Sequence, residues 1–157
     1  MERIPMTPDG FRHLESELKR LRTEERPAII QAIADAREHG DLSENAEYHA
    51  ARDRQSFIEG RLAELEDIIS RADVIESVIQ NPDVVRFGAT VALADEDTEE
   101  ESTYTLVGTY EADASAGRLS VTSPLGRALI GKALGDVVEV STPRGEKTYE
   151  IIKIAYA

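Results

Sequence analysis

Two apolar stripes at helical spacing, on helices with only two or three residues between them, constrain this chain more than any other feature. Phe11, Leu14, Leu18 and Leu21 recur every three or four residues, as in the seam of a coiled coil. Thr7-Pro8 just ahead of them supplies an N-cap and a proline at the first helical position. Pro27 lacks an N–H, and its ring predicts a kink. The stripe resumes at Ile29, Ile33 and Ala36, so one helix is expected over 7–40. Gly40 stands where a helix C′ residue belongs, and Asp41 can cap a second helix. That helix is expected from about Ser43 to Ile75, on Ala51, Ile58, Leu65, Ile68, Ala72 and Ile75. So short a connection forces the helices to fold back antiparallel. An arm of about 30 residues is roughly 45 Å long at ~1.5 Å per residue. Most of such a rod is wet.

After Gln80 the pattern changes. Asn81-Pro82-Asp83 is a breaker cluster, and β-branched alternation follows. Strands are expected at 88–94, 103–109, 118–122, 136–141 and 147–155. An acidic loop runs from Asp95 to Ser102, a short helix from Gly126 to Lys132, and Pro143-Arg144-Gly145 is a turn. The chain thus divides into a helical hairpin domain, 1–80, and an α+β domain, 81–157, large enough for a modest core.

Charge narrows the partners. Eighteen Lys and Arg face 31 Asp and Glu, a formal net charge of -13. Affinity for free nucleic acid comes largely from cationic side chains on phosphates, so no stable binding of free RNA or DNA is expected. If the chain works on nucleic acid, a protein partner delivers it there. Cysteine is absent, which excludes a disulfide framework, thiolate metal sites and a cysteine nucleophile. No signal-like core opens the sequence and no segment approaches the ~18 apolar residues that span a bilayer. A cytoplasmic protein without membrane partners is expected.

The hairpin tip carries the candidate chemistry. Asp41 and Glu44 are three apart at a helix start, which puts both carboxylates on about the same side of the first turn. Neighbouring carboxylates resist joint ionisation without a cation or proton between them. The plain alternative is a capping box, favoured further by the positive end of the helix dipole. Yet six acids and three bases lie between Asp35 and Arg54, more acid than a cap requires, and Leu42 is apolar at the apex. Two carboxylates are too few to hold Mg²⁺ alone. They could complete a site whose other ligands come from phosphates and another protein. His39 and His49 lack zinc-site spacing and read as surface residues.

The run Arg37-Glu38-His39-Gly40-Asp41-Leu42-Ser43-Glu44-Asn45-Ala46-Glu47-Tyr48-His49-Ala50-Ala51-Arg52 resembles the signature of the GreA/GreB family of bacterial transcript-cleavage factors. The likeness extends to Ile4-Pro5-Met6-Thr7, to Phe87-Gly88-Ala89-Thr90-Val91 and to the run from Ser123 to Lys132. Its acidic balance is closer to the GreA branch. The resemblance implies an N-terminal antiparallel coiled-coil hairpin and a C-terminal FKBP-like α+β domain that docks at the rim of the secondary channel of bacterial RNA polymerase. It implies that Asp41 and Glu44 are the catalytic acidic pair. They would hold Mg²⁺ jointly with the polymerase, with none bound by the free protein, and position the water that cleaves the backtracked RNA 3′ end. The factor would be no enzyme alone; it would stimulate the polymerase's own hydrolysis.

By the same resemblance, Arg37 and Arg52 contact the RNA, and Ser123 and Pro124 form a polymerase-docking edge. Beside these stand plain readings: Arg37 paired with Asp41 four residues on, and Ser123-Pro124 as an ordinary strand-to-helix turn. Tyr48, at helical spacing from Glu44, packs or supports the tip. The main rival function is a non-cleaving regulator that occupies the channel; the resemblance implies that such members depart from the acidic pair, which is kept here, or change the domain orientation. A prolyl isomerase would need an aromatic-walled pocket, for which few aromatics follow residue 80. A plain coiled-coil adaptor leaves the acidic tip unexplained.

Overall fold

The structure is a computed structural model that describes residues 2–38, 45–76 and 81–156. The chain forms two compact units, Phe11–Ala72 and Glu2–Gly10 with Asp73–Ala157.

Helix α1 (Pro8–Arg20), which belongs to the first unit from Phe11 onward, passes through a π-helical turn, Leu21–Glu25, into α2 (Arg26–Arg37); α3 spans Ala46–Ser70. The Thr7 hydroxyl accepts the Gly10 N–H at 3.0 Å, so the expected N-cap is present. Pro27 has no N–H to give its preceding turn. The helix widens just upstream, where the Arg26 N–H reaches Leu21 O, five residues back. Leu14, Leu21, Ile33 and Ala36 on the first arm are buried, as are Ala51, Ile58, Leu62, Leu65 and Ile68 on α3. Burying each large aliphatic side chain contributes about 1.5–3 kcal/mol, and this seam holds the pair together.

Cross-helix pairs record the antiparallel course: Arg22 with Glu66, Arg26 with Glu59, Arg54 with Glu25, and Asn45 with Ala36. Arg26 grips Glu59 with two bonds, 2.8 and 2.7 Å. Arg61 does the same to Glu17 at 2.7 and 2.9 Å. Exposed ion pairs each contribute at most about 1 kcal/mol, so they tune register more than stability. The Arg61 guanidinium holds the Glu17 carboxyl below the usual glutamate range.

Both ends of the second helix differ from the expectation. It begins at Ala46, and it stops at Ser70 rather than continuing to Ile75. Arg71 leaves the helical region (φ -102, ψ 2), and Ala72–Val74 becomes strand β2. That strand pairs with β1 (Ile4–Met6), and the Ile75 N–H bonds Met6 O at 2.9 Å. Fully buried Met6 anchors the pairing, so a long-range sheet outcompetes one more helical turn.

The second unit is a five-stranded sheet of order β5-β4-β3-β7-β6, made of β3 (Thr90–Asp95), β4 (Glu101–Val107), β5 (Arg118–Ser120), β6 (Val137–Thr142) and β7 (Gly145–Ala155). All neighbours are antiparallel except β4 and β5. Val91 and Leu93 alternate inward from β3 and join Val85, Ala89, Leu106, Val138 and Ile151 in one core. Helix α4 (Pro124–Leu129) closes it with Leu129. The expected turn is the two-residue link between paired Thr142 and Gly145; Gly145 takes φ 113, which only glycine adopts freely. In the acidic loop, Asp95 accepts the Asp97 and Thr98 N–H groups at 2.8 and 3.2 Å. Those bonds, with Lys147 adding to them, hold its carboxyl below the usual aspartate range.

Glu111 joins sequence-distant parts of this unit. Its carboxylate accepts the Thr7 and Gly108 N–H groups, both at 2.9 Å, the Thr7 hydroxyl, and Arg118 at 3.3 Å. The side chain is 1% exposed. Sequence reading gave Glu111 no role, since nothing local marks a partner so distant.

Candidate functional site

The tip of the helical pair is framed by the end of α2 and the start of α3. Asn45 has extended backbone (φ -82, ψ 99) and is the N-cap of α3; its Oδ1 accepts the Tyr48 N–H at 3.0 Å. This corrects the expectation that Asp41 caps the helix. Asn45 is among the best capping residues and sits directly before the first helical turn. Its other end crosses to the first arm, where Nδ2 donates to Ala36 O at 2.6 Å. One side chain thus satisfies an orphan N–H of α3 and a terminal carbonyl of α2.

Beside this tie, the Arg37 guanidinium lies 5.9 Å from the centre of the Tyr48 ring. Tyr48 is half-buried and meets His49 edge-on at 5.5 Å. Tyr48 therefore packs the frame of the tip. Arg37 and Arg52 are both exposed, one on each arm. Asp41 and Glu44, with His39, Gly40, Leu42 and Ser43, lie outside the described residues. So does any Arg37–Asp41 pair. Among the described residues no group of three or more His, Cys, Asp or Glu side chains could hold a metal ion. No helix among them is long and apolar enough to cross a membrane.

The structure gives Ser123 a structural task in the second unit. It caps α4, accepting the Gly126 N–H at 3.1 Å and donating to Ser120 O at 2.6 Å. Pro124 opens the helix and is exposed. Both hydroxyl bonds are internal, so the outward part of this edge is Pro124.

Sequence reading quoted Asn45 but assigned it nothing. An Asn directly before Ala46-Glu47 is a usable cap signal, masked by the rival cap Asp41 just upstream.

The family model described as transcription elongation factor, N-terminal, matches residues 4–74; that for transcription elongation factor, GreA/GreB, C-terminal, matches 80–156. The chain belongs to the GreA/GreB family of transcription elongation factors. It is 62% identical over 156 residues to a protein of Rhodospirillum rubrum named transcription elongation factor GreA, covering 99% of each chain. The same figures hold for the GreA of Phenylobacterium zucineum. Among solved structures, a GreA/GreB factor from Nitrosomonas europaea is 26% identical, with 98% of this chain and 100% of that chain covered and a TM-score of 0.46. The two family-model matches together span both units, and the first runs across the tip residues.

Proposed function

We propose that this chain is a transcription elongation factor that stimulates transcript cleavage by bacterial RNA polymerase in the cytoplasm. The second unit docks at the rim of the secondary channel, with Pro124 on the contacting edge beside Ser123. The helical pair enters the channel of a backtracked enzyme, where the RNA 3′ end is extruded. Asp41 and Glu44 stand beside that RNA and orient the attacking water. Arg37 and Arg52, one from each arm, face its phosphates.

The acidic pair suits Mg²⁺, a hard cation that favours carboxylate oxygens. Asp41 and Glu44 would hold the ion jointly with polymerase carboxylates and RNA phosphate oxygens. When bound there, Mg²⁺ supplies charge stabilisation and an acidified water for phosphodiester hydrolysis. Two carboxylates alone are a half-site, so the free factor hydrolyses nothing and acts through the polymerase's own activity. The net charge of -13 fits delivery by a protein surface rather than by affinity for RNA.

The observation that carries this reading is at the start of α3. Asn45 is the N-cap of α3 and takes one of its orphan N–H groups, so the cap position is filled by a residue other than Asp41 or Glu44. Both acids nevertheless stand in the six-residue segment that links the two tied helix ends, in a chain closely related to proteins named GreA.

The test is RNA release from purified backtracked elongation complexes in Mg²⁺, with wild type, Asp41→Ala, Glu44→Ala or no factor. Wild type should stimulate release, both variants should lose it while still binding polymerase, and free RNA should stay intact. Wild type that binds polymerase but releases no RNA would establish a channel-occupying regulator instead.

A further inference from the structure

We infer that Asn45 is a positioning residue for the acidic pair, fixing the span across which Asp41 and Glu44 are presented; the inference rests on the cleavage reading above. A helix cap needs only an acceptor, and Oδ1 supplies it by taking the Tyr48 N–H. Ser and Asp cap about as well as Asn, so capping leaves the choice of an amide unexplained. The amide's second end explains it. Nδ2 donates at 2.6 Å to Ala36 O on the opposite arm; an Asp carboxylate has no donor for that bond, and a Ser hydroxyl sits one atom nearer its own backbone than Nδ2 does.

Ala36 is buried in the seam, 3% exposed, which makes its carbonyl a rigid anchor. Asn45 therefore ties the two ends of the segment bearing the acids to one reference point. Arg37 against Tyr48 braces the same place from the side. The acids must complete a site whose remaining ligands belong to another protein. Misplacement by about 1 Å is enough to cost such a site much of its rate. Groups that orient metal ligands from behind change metal affinity or activity by roughly 10–100-fold when removed.

The experiment separates cap from tie. Asn45→Ser keeps a neutral cap acceptor but shortens the side chain by one atom, which draws the donor back from Ala36 O; Asn45→Asp keeps the cap, lacks the donor and adds charge; Asn45→Ala removes both. The chain has no cysteine, so Glu38→Cys and Ala50→Cys carry a unique spin-label pair across the base of the tip. Both positions are exposed. In the full-length factor, the Ser and Asp variants should keep wild-type helix melting and polymerase binding but show a broadened label–label distance distribution. With Asn45→Ser, RNA release from backtracked complexes should fall about tenfold, and the Mg²⁺ concentration for half-maximal release should rise. A narrow, wild-type distribution in both the Ser and Asp variants overturns the role of Asn45. So does a Ser variant with wild-type release and Mg²⁺ requirement. If wild type itself releases no RNA, the cleavage reading fails and this role in it falls too, whereas the label distances still report whether the tie holds the span.

Discussion

Glu111 and Thr7, 104 positions apart, are joined twice: Oε2 accepts the Thr7 backbone N–H at 2.9 Å, and Oε1 accepts the Thr7 hydroxyl. Among the described residues every partner of this buried carboxylate is a donor, Gly108 N and Arg118 being the others. Glu111→Gln turns an NH₂ group toward donors and leaves at least one of them unsatisfied. The expected loss is about 3 kcal/mol of stability in the second unit, read as a lowered urea midpoint. An unchanged midpoint would show that the knot contributes nothing.

Ser123 and Pro124 should separate by kind of defect. Ser123→Ala removes both internal bonds of the α4 cap and should cost about 1 kcal/mol, while the folded protein still binds polymerase. Pro124→Glu sits in the first turn, where the helix dipole tolerates an acid. It should keep the melting temperature and weaken polymerase binding in a competition assay. Equal binding by Pro124→Glu and wild type would remove Pro124 from the docking edge.

Acid should loosen the helical pair through Glu17. Its folded pKa is depressed, first by the Arg61 hydrogen bond and also by the charge of Arg61. The unfolded chain therefore binds protons more readily than the folded one. The stabilisation is fully present above the ordinary glutamate value of about 4.3 and is lost as pH falls through the lowered value. Helix melting followed by circular dichroism should drop over that window. Glu17→Gln should flatten this part of the profile, and a variant with the wild-type slope would place the acid sensitivity elsewhere.

Arg37→Ala and Arg52→Ala remove exposed cations from opposite arms. Each should leave helix melting within about 0.5 kcal/mol of wild type and lower RNA release several-fold, with a weaker dependence on salt. Full release by both variants would leave the RNA contact to other residues.

The seam, the antiparallel return and the Pro143-Arg144 hairpin were legible because each is written locally. A three-and-four apolar spacing, a glycine break or a turn dipeptide has one physical reading over a few residues. Strand β2 was not legible for a matching reason. Ile68, Ala72 and Ile75 keep helical spacing, so the sequence continues to look like α3 past Ser70. What ends the helix is pairing with Ile4–Met6, nearly seventy residues upstream, and no local pattern encodes that competition. Leu62, fully buried in the seam, belonged to the same stripe and went unread. At the tip, Asp41, Ser43 and Asn45 are all good caps within five positions. The extended backbone of Asn45 and its bond from the Tyr48 N–H mark Asn45 as the N-cap. The acidic pair came from its motif rather than from geometry.

The wide turn ahead of Pro27 acts as a phase correction. Leu21 and Ile33 are both buried in the seam, yet they stand twelve positions apart. At about 100° per residue, a regular helix would rotate Ile33 roughly 120° off the stripe that Leu21 begins. A π turn absorbs one additional residue, and the remaining eleven steps return to within roughly 20° of the starting direction. The five residues Leu21–Glu25 therefore work as a vernier between two otherwise mismatched repeats. Removing a single residue there would leave the apolar stripe aligned in an ordinary α-helix. The same deletion elsewhere in the first arm would turn the stripe beyond it away from α3.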